Sequence, residues 1–146
     1  MEQQRGDLTL SSETSAQQPE RIHAFLTRSY WSEGIPLETV RRAVEGSLCI
    51  GVFSAGEQVA LARVVTDRAT FAYLCDVYVL EAFRGRGIST WMLEAIDAHP
   101  DLQGLRRFML ATRDAHGLYA RYGFTPLARP AAFLERHRPD VYQAKT

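Results

Sequence analysis

Asp76-Val77-Tyr78-Val79-Leu80-Glu81-Ala82-Phe83-Arg84-Gly85-Arg86-Gly87-Ile88-Ser89 is the stretch on which the fold turns. An apolar run ends at Leu80, a short link follows, and a glycine-rich turn opens onto helical spacing at Ile88. Such a turn aims several free backbone N–H groups in one direction, where the positive end of a helix dipole reinforces them. Glycine lets an anion approach without a Cβ in the way. Together these properties make a phosphate cradle, with Arg84 and Arg86 supplying positive charge at its rim. Two better-known phosphate loops fail here. The dinucleotide fingerprint needs a third glycine where Thr90 stands, and no Gly-Lys-Ser/Thr triplet occurs. Taken locally, the stretch reads equally well as a tight strand–helix turn.

On the N-terminal side of the loop, Leu48–Ser54, Val59–Thr66 and Phe71–Leu80 are apolar, β-branched runs. They are separated by turns at Ala55-Gly56 and Asp67–Thr70, as in an antiparallel meander. Asp7–Ser12 alternates weakly and predicts a short first strand. Helical spacing predicts one helix over Pro19–Tyr30 and another from Leu37 to about Gly46, joined by Trp31–Pro36. On the C-terminal side, Ile88, Trp91, Met92, Ala95 and Ile96 mark an amphipathic helix. Arg106–Ala111 then predicts a strand, and Asp114–Tyr122 a helix with Asp114 as its N-cap and Gly123 as its left-handed terminus. Phe124–Ala128 and Ala132–Glu135 predict a last pair of strands. Strands on both sides of the central helix predict an α+β (mixed α/β) fold: a central mixed, mostly antiparallel sheet flanked by helices, in one domain over residues 1–146.

Composition narrows the function. The formal net charge of +0 gives no basic field to hold nucleic acid. No apolar run reaches the roughly 20 residues of a membrane span, and the polar N-terminus has no secretory h-region. A cytoplasmic protein with neither nucleic-acid nor membrane partner is expected. Cys49 and Cys75 lie in apolar runs and read as two buried thiols in a reducing compartment. No zinc spacing joins them to a histidine, so no metal is expected.

Two motifs carry a family resemblance. Arg84-Gly85-Arg86-Gly87-Ile88-Ser89 resembles the acetyl-CoA signature Arg/Gln-x-x-Gly-x-Gly/Ala of the GNAT N-acyltransferase superfamily. Leu118-Tyr119-Ala120-Arg121-Tyr122-Gly123-Phe124 resembles that superfamily's LYxxxGF motif. A predicted helix and strand separate the two, in the family's order, and the resemblance spans about Phe71 to Leu127. Ser89 departs from the pattern, standing where Gly or Ala is usual. The resemblance implies acetyl-CoA as co-substrate and a primary amine, on a small molecule or a protein, as acceptor. It also implies a V-shaped splay between the fourth and fifth predicted strands. The pantetheine arm would pair with the backbone of Val77, Tyr78 and Val79, and the pyrophosphate would sit on the amides of Arg84, Gly85, Arg86, Gly87, Ile88 and Ser89. A strand-end N–H near Val79 would face the thioester carbonyl, a contact worth about 2.7–4 kcal/mol in other enzymes.

Amide formation needs a neutral amine, a stabilised oxyanion and a protonated leaving thiol. Tyr119 matches the motif tyrosine that the resemblance implies as proton donor to the thiolate. Its i, i+3, i+4, i+7 spacing with Ala115, Leu118 and Tyr122 equally suits packing. Asp76 is an acidic residue in an apolar strand and reads either as the base or as a structural acceptor for backbone groups or for an arginine such as Arg113. Strand alternation would put it on one face with Leu74 and Tyr78. Asp114 and His116 are further candidates for the base, against simpler readings as a cap and a surface residue. Tyr30 and Trp31 could stack on an acceptor and Glu33 hold its ammonium; the same loop also reads as a latch onto the core. An idle acyl-CoA-binding regulatory module is the alternative to an enzyme. A homodimer through the C-terminal strands is compatible with the sequence.

Overall fold

The computed structural model describes residues 1–143. Its strands are β1 (Glu2–Arg5), β2 (Leu8–Ser11), β3 (Leu48–Ser54), β4 (Glu57–Thr66), β5 (Phe71–Val79) and β6 (Arg107–Leu110). They form one sheet in chain order, antiparallel throughout except for the parallel β5–β6 pair. The helices are α1 (Pro19–Leu26), α2 (Leu37–Glu45), α3 (Ile88–Ala98) and α4 (His116–Ala120). No helix among the described residues is long and apolar enough to cross a membrane.

The sheet is covered on both faces. Trp91, Met92 and Ile96 of α3 pack with Ile50, Val52, Val64 and Leu74 on one side. Ile22 and Leu26 of α1 and Val40 and Val44 of α2 pack with Cys49, Leu61 and Tyr78 on the other. An interior strand with both faces covered has no polar side to show, which is why β3 is a near-continuous apolar run. Adjacent strands joined by short turns follow from the Ala55-Gly56 and Asp67–Thr70 connections. At the latter, Asp67 Oδ1 accepts from the amides of Ala69, Thr70 and Phe71.

The mixed sheet and flanking helices match the sequence expectation, and several details are corrected. β1 precedes the predicted first strand, so the strands expected as fourth and fifth are β5 and β6. α1 ends at Leu26 rather than Tyr30, because Thr27–Ser29 turn away and Ser29 Oγ bonds Leu26 O. Asp114 does not cap α4. Ala115 holds the cap position, and it is Thr112 Oγ1 that accepts from the Ala115 amide. Gly123 is left-handed, φ 87°, as expected. The two C-terminal strands do not form. Pro126 removes a ladder donor from the first, and Pro130 opens a 3-10 turn over Pro130–Ala132 at the start of the second.

Candidate active site

A bulge shapes the site. Leu61 pairs with Tyr78 and Arg63 with Cys75, so one more residue lies between the partners on β5 than on β4. Asp76 takes up the excess in the left-handed region, φ 53°. The bulge breaks simple alternation and corrects the expected facing of Asp76. Leu74 points into the α3 core, whereas Tyr78 lies in the α1–α2 core. Asp76 shares a small cavity with Ile22, Val40 and Arg63 on that second side.

The parallel ladder runs from Phe71–Arg107 to Leu74–Leu110, and among the described residues β5 beyond Leu74 has no strand partner on that side. The strands diverge there, as the splay requires. A cavity of about 620 Å³ opens between them, lined by Val77, Tyr78, Val79, Leu110, Thr112 and Tyr119 among others. Arg84 and Ser89 also reach it, which joins the cavity to the glycine loop.

The loop itself has the geometry of an anion cradle. Gly85 and Gly87 are left-handed, φ 79° and 77°, and a Cβ on either would meet no protein atom within 4 Å. Glycine is therefore required by conformation, and the space above the loop is open. Gly87 is the N-cap of α3, and no side chain caps this helix. Among the described residues no hydrogen bond outside the helix engages the amides of Gly85, Arg86, Gly87, Ile88 or Ser89. Of the two rim arginines, Arg84 donates through Nε to Val79 O at 3.0 Å, fixing the loop to the end of β5. Arg86 pairs instead with Asp7 at 2.8 Å, and the Arg86 hydrogen bond holds that carboxyl below its ordinary range.

Asp76 is held on both oxygens. Arg63 Nε donates to Oδ2 at 2.8 Å and Trp31 Nε1 to Oδ1 at 2.8 Å. Its side chain is only 8% exposed, and Arg63 donates further to Ser47 Oγ at 2.9 Å. Burial opposes the Arg63 charge, but the neighbouring Cys75 and Asp76 outweigh it and hold the guanidinium above its ordinary pKa. The arginine partner is thus Arg63, not Arg113, whose guanidinium lies 3.8 Å from the ring centroid of Tyr30. Arg63 escaped the sequence reading; a charge inside an apolar strand was the available signal.

Tyr119 is buried, its ring edge-on to Phe124 at 6.0 Å. No hydrogen bond among the described residues engages its hydroxyl, and no buried polar side-chain atom is left unpaired, so the hydroxyl opens onto the cleft it lines. Burial raises its pKa and keeps it a proton carrier. Tyr30 and Trp31 line the cleft, edge-to-face at 5.1 Å, and Asp114 lines it too. Glu33 and His116 are exposed and outside it. Phe25, also missed as a site residue, stacks on Tyr78 at 4.0 Å. Burial pushes the Cys49 and Cys75 thiols up to about 12, which makes them unreactive.

Known proteins share this fold. The family model described as an acetyltransferase (GNAT) domain matches residues 45–126. A Gibberella zeae protein bearing an acetyltransferase name is 32% identical, over 80% of this chain and 78% of its own length. A crystal structure of a GNAT-family protein from Xanthomonas campestris superposes with a TM-score of 0.91 at 53% identity, covering 94% of this chain and 97% of that one. A Clostridium acetobutylicum protein solved with acetyl-CoA shares the fold at 16% identity and a TM-score of 0.65, covering 89% and 96%. The chain belongs to the GNAT acetyltransferase family and is an acyltransferase.

Proposed function

We propose that the chain transfers the acetyl group of acetyl-CoA to a primary amine by direct attack on the thioester. The observation that carries this reading is the continuity of two features. One short turn through Glu81–Phe83 joins the unengaged amides of the glycine loop to the stretch of β5 that lacks a partner on its β6 side among the described residues. A diphosphate suits the first and an amide-bearing arm the second, and acetyl-CoA carries both. The acetyl-CoA in the Clostridium acetobutylicum relative agrees with this choice.

Acetyl-CoA supplies the activated carbonyl. The loop amides from Gly85 to Ser89 hold its diphosphate, with Arg84 at the rim, and the backbone of Val77, Tyr78 and Val79 aligns its arm. A β5 amide near Val79 faces the carbonyl oxygen. The neutral amine nitrogen forms a bond to the carbonyl carbon as the carbon–sulfur bond breaks. Tyr119 protonates the departing sulfur, and the proton lost by the nitrogen restores Tyr119 through cleft water. The net products are an amide and a free thiol. Asp76, with both oxygens engaged, serves better as the anchor of Trp31 than as a direct base. Asp114 lines the same cleft as Asp76 but with no side-chain partner among the described residues, and is the better candidate to receive the ammonium proton.

Thermal unfolding with and without acetyl-CoA, with ATP and NAD as controls, tests the reading. At 100 times its Kd the ligand adds about 2.7 kcal/mol of stability. A rise in Tm with acetyl-CoA alone is expected; no rise at millimolar acetyl-CoA refutes the proposal.

A further inference from the structure

The acceptor end of the cleft is built from aromatic faces. Tyr30 and Trp31 are 61% and 41% exposed, unusual for large rings on a folded surface, and both line the cavity. Beside them Phe25 and Tyr78 form a stacked pair, interplanar angle 8°, with Phe25 tilted against Trp31 at 6.1 Å. The rings are set in advance. The indole N–H is committed to Asp76 and the Tyr78 side chain is buried, so neither wall must reorganise to receive a flat group.

Charge sharpens the choice. The one deep carboxylate of this region, Asp76, is neutralised by Arg63, and Arg113 covers the Tyr30 ring at the rim. Asp114, the other carboxylate lining the cleft, takes the proton of the reacting ammonium. A second ammonium on the acceptor would therefore find no further cleft carboxylate among the described residues, and the Arg63 and Arg113 guanidinium groups nearby. Flat apolar surface is what these walls bind best, through offset or edge-to-face stacking.

We propose that the acceptor is a primary amine carried on a single aromatic ring, seated on the exposed Tyr30–Trp31 wall of the cleft that Phe25 and Tyr78 back; this rests on the acetyl-transfer reading above. The ring stacks on Trp31 while the amino group extends toward Tyr119 and the thioester. Atoms balance as before: the new nitrogen–carbon bond replaces the carbon–sulfur bond, and the thiol carries away the proton.

The test combines binding and turnover. Phenethylamine titrated into the acetyl-CoA-loaded protein should quench tryptophan emission, because the other tryptophan, Trp91, is buried in the opposite core. In thiol-release assays phenethylamine should exceed spermidine, lysine and glucosamine in kcat/KM by about tenfold or more, the scale of one stacking contact. Tyr30→Ala, at an exposed position, should raise the phenethylamine KM about tenfold and leave the acetyl-CoA shift in Tm unchanged. Trp31→Ala should do the same and Trp31→Phe should largely restore binding; if Trp31→Ala does not fold, Tyr30→Ala decides. Preference for an aliphatic or sugar amine, or an unchanged KM in Tyr30→Ala, overturns the inference while the acetyl-CoA shift still upholds the transferase reading. Absence of that shift refutes the transferase reading and this inference with it.

Discussion

At Tyr119 the ring and the hydroxyl meet different surroundings. The ring is buried against Phe124 and the hydroxyl opens onto the cleft, so packing and proton donation are compatible in one side chain. Burial lifts its pKa above the ordinary 10.0, so the hydroxyl carries its proton at neutral pH. Tyr119→Phe keeps the packing and removes the donor. It should lower kcat about 10²-fold or less, because a thiol of pKa near 8.5 leaves tolerably without help, and it should leave the acetyl-CoA shift in Tm intact. Steady-state thiol release checks both. Tyr119 and the glycine loop were legible because each lies in a contiguous motif. The Arg63–Asp76 pair was not, since it joins two strands through a register that a bulge displaces.

Elements were legible where hydrophobic spacing controls them. β3, β4, β5 and α3 were read to within a residue or two, since each has apolar side chains to bury. β1 was missed because Glu-Gln-Gln-Arg has none. Backbone pairing with β2 holds it, aided by Trp91 Nε1 donating to Gln3 Oε1 at 2.8 Å and Arg5 pairing with Glu94 at 3.1 Å. The end of α3 gives an element-scale prediction. His99 caps the following turn, its Nδ1 accepting from the Asp101 amide at 3.1 Å, which requires the neutral ring. Burial lowers its pKa below the ordinary 6.5, against the opposing pull of Asp101. The unfolded chain therefore binds the proton more readily. The stabilising contribution is complete above about pH 6.5 and is lost as pH falls through the lower folded value. His99→Asn retains a capping acceptor without a titrating ring, and should flatten this acid dependence of Tm between pH 5 and 7 in scanning calorimetry.

For the molecule as a whole, one sheet supplies a wall to both cores. Leu61 and Tyr78 belong to one core, and their strand neighbours Ala60 and Val79 to the other. Neither core can lose its helices without exposing strands that hold the second. Urea unfolding should therefore be a single transition, with far-UV circular dichroism and tryptophan emission coincident. Two separated midpoints would show that the cores melt independently. The layered architecture was legible in the order of strands and helices, whereas the diverging strands were implied only through the family resemblance.

The bulge at Asp76 has a consequence for how this strand tolerates change. Before it, even-numbered positions such as Ala72 and Leu74 face α3; after it, odd-numbered Val77 and Val79 do. The bulge thus acts as a parity switch, dividing β5 into two mutational compartments. Substitutions up to Leu74 answer to the parallel ladder and the α3 core. Those from Val77 onward line the cleft with no strand beside them on that side among the described residues. A one-residue offset across Asp76 is needed to keep a side chain on the α3 face.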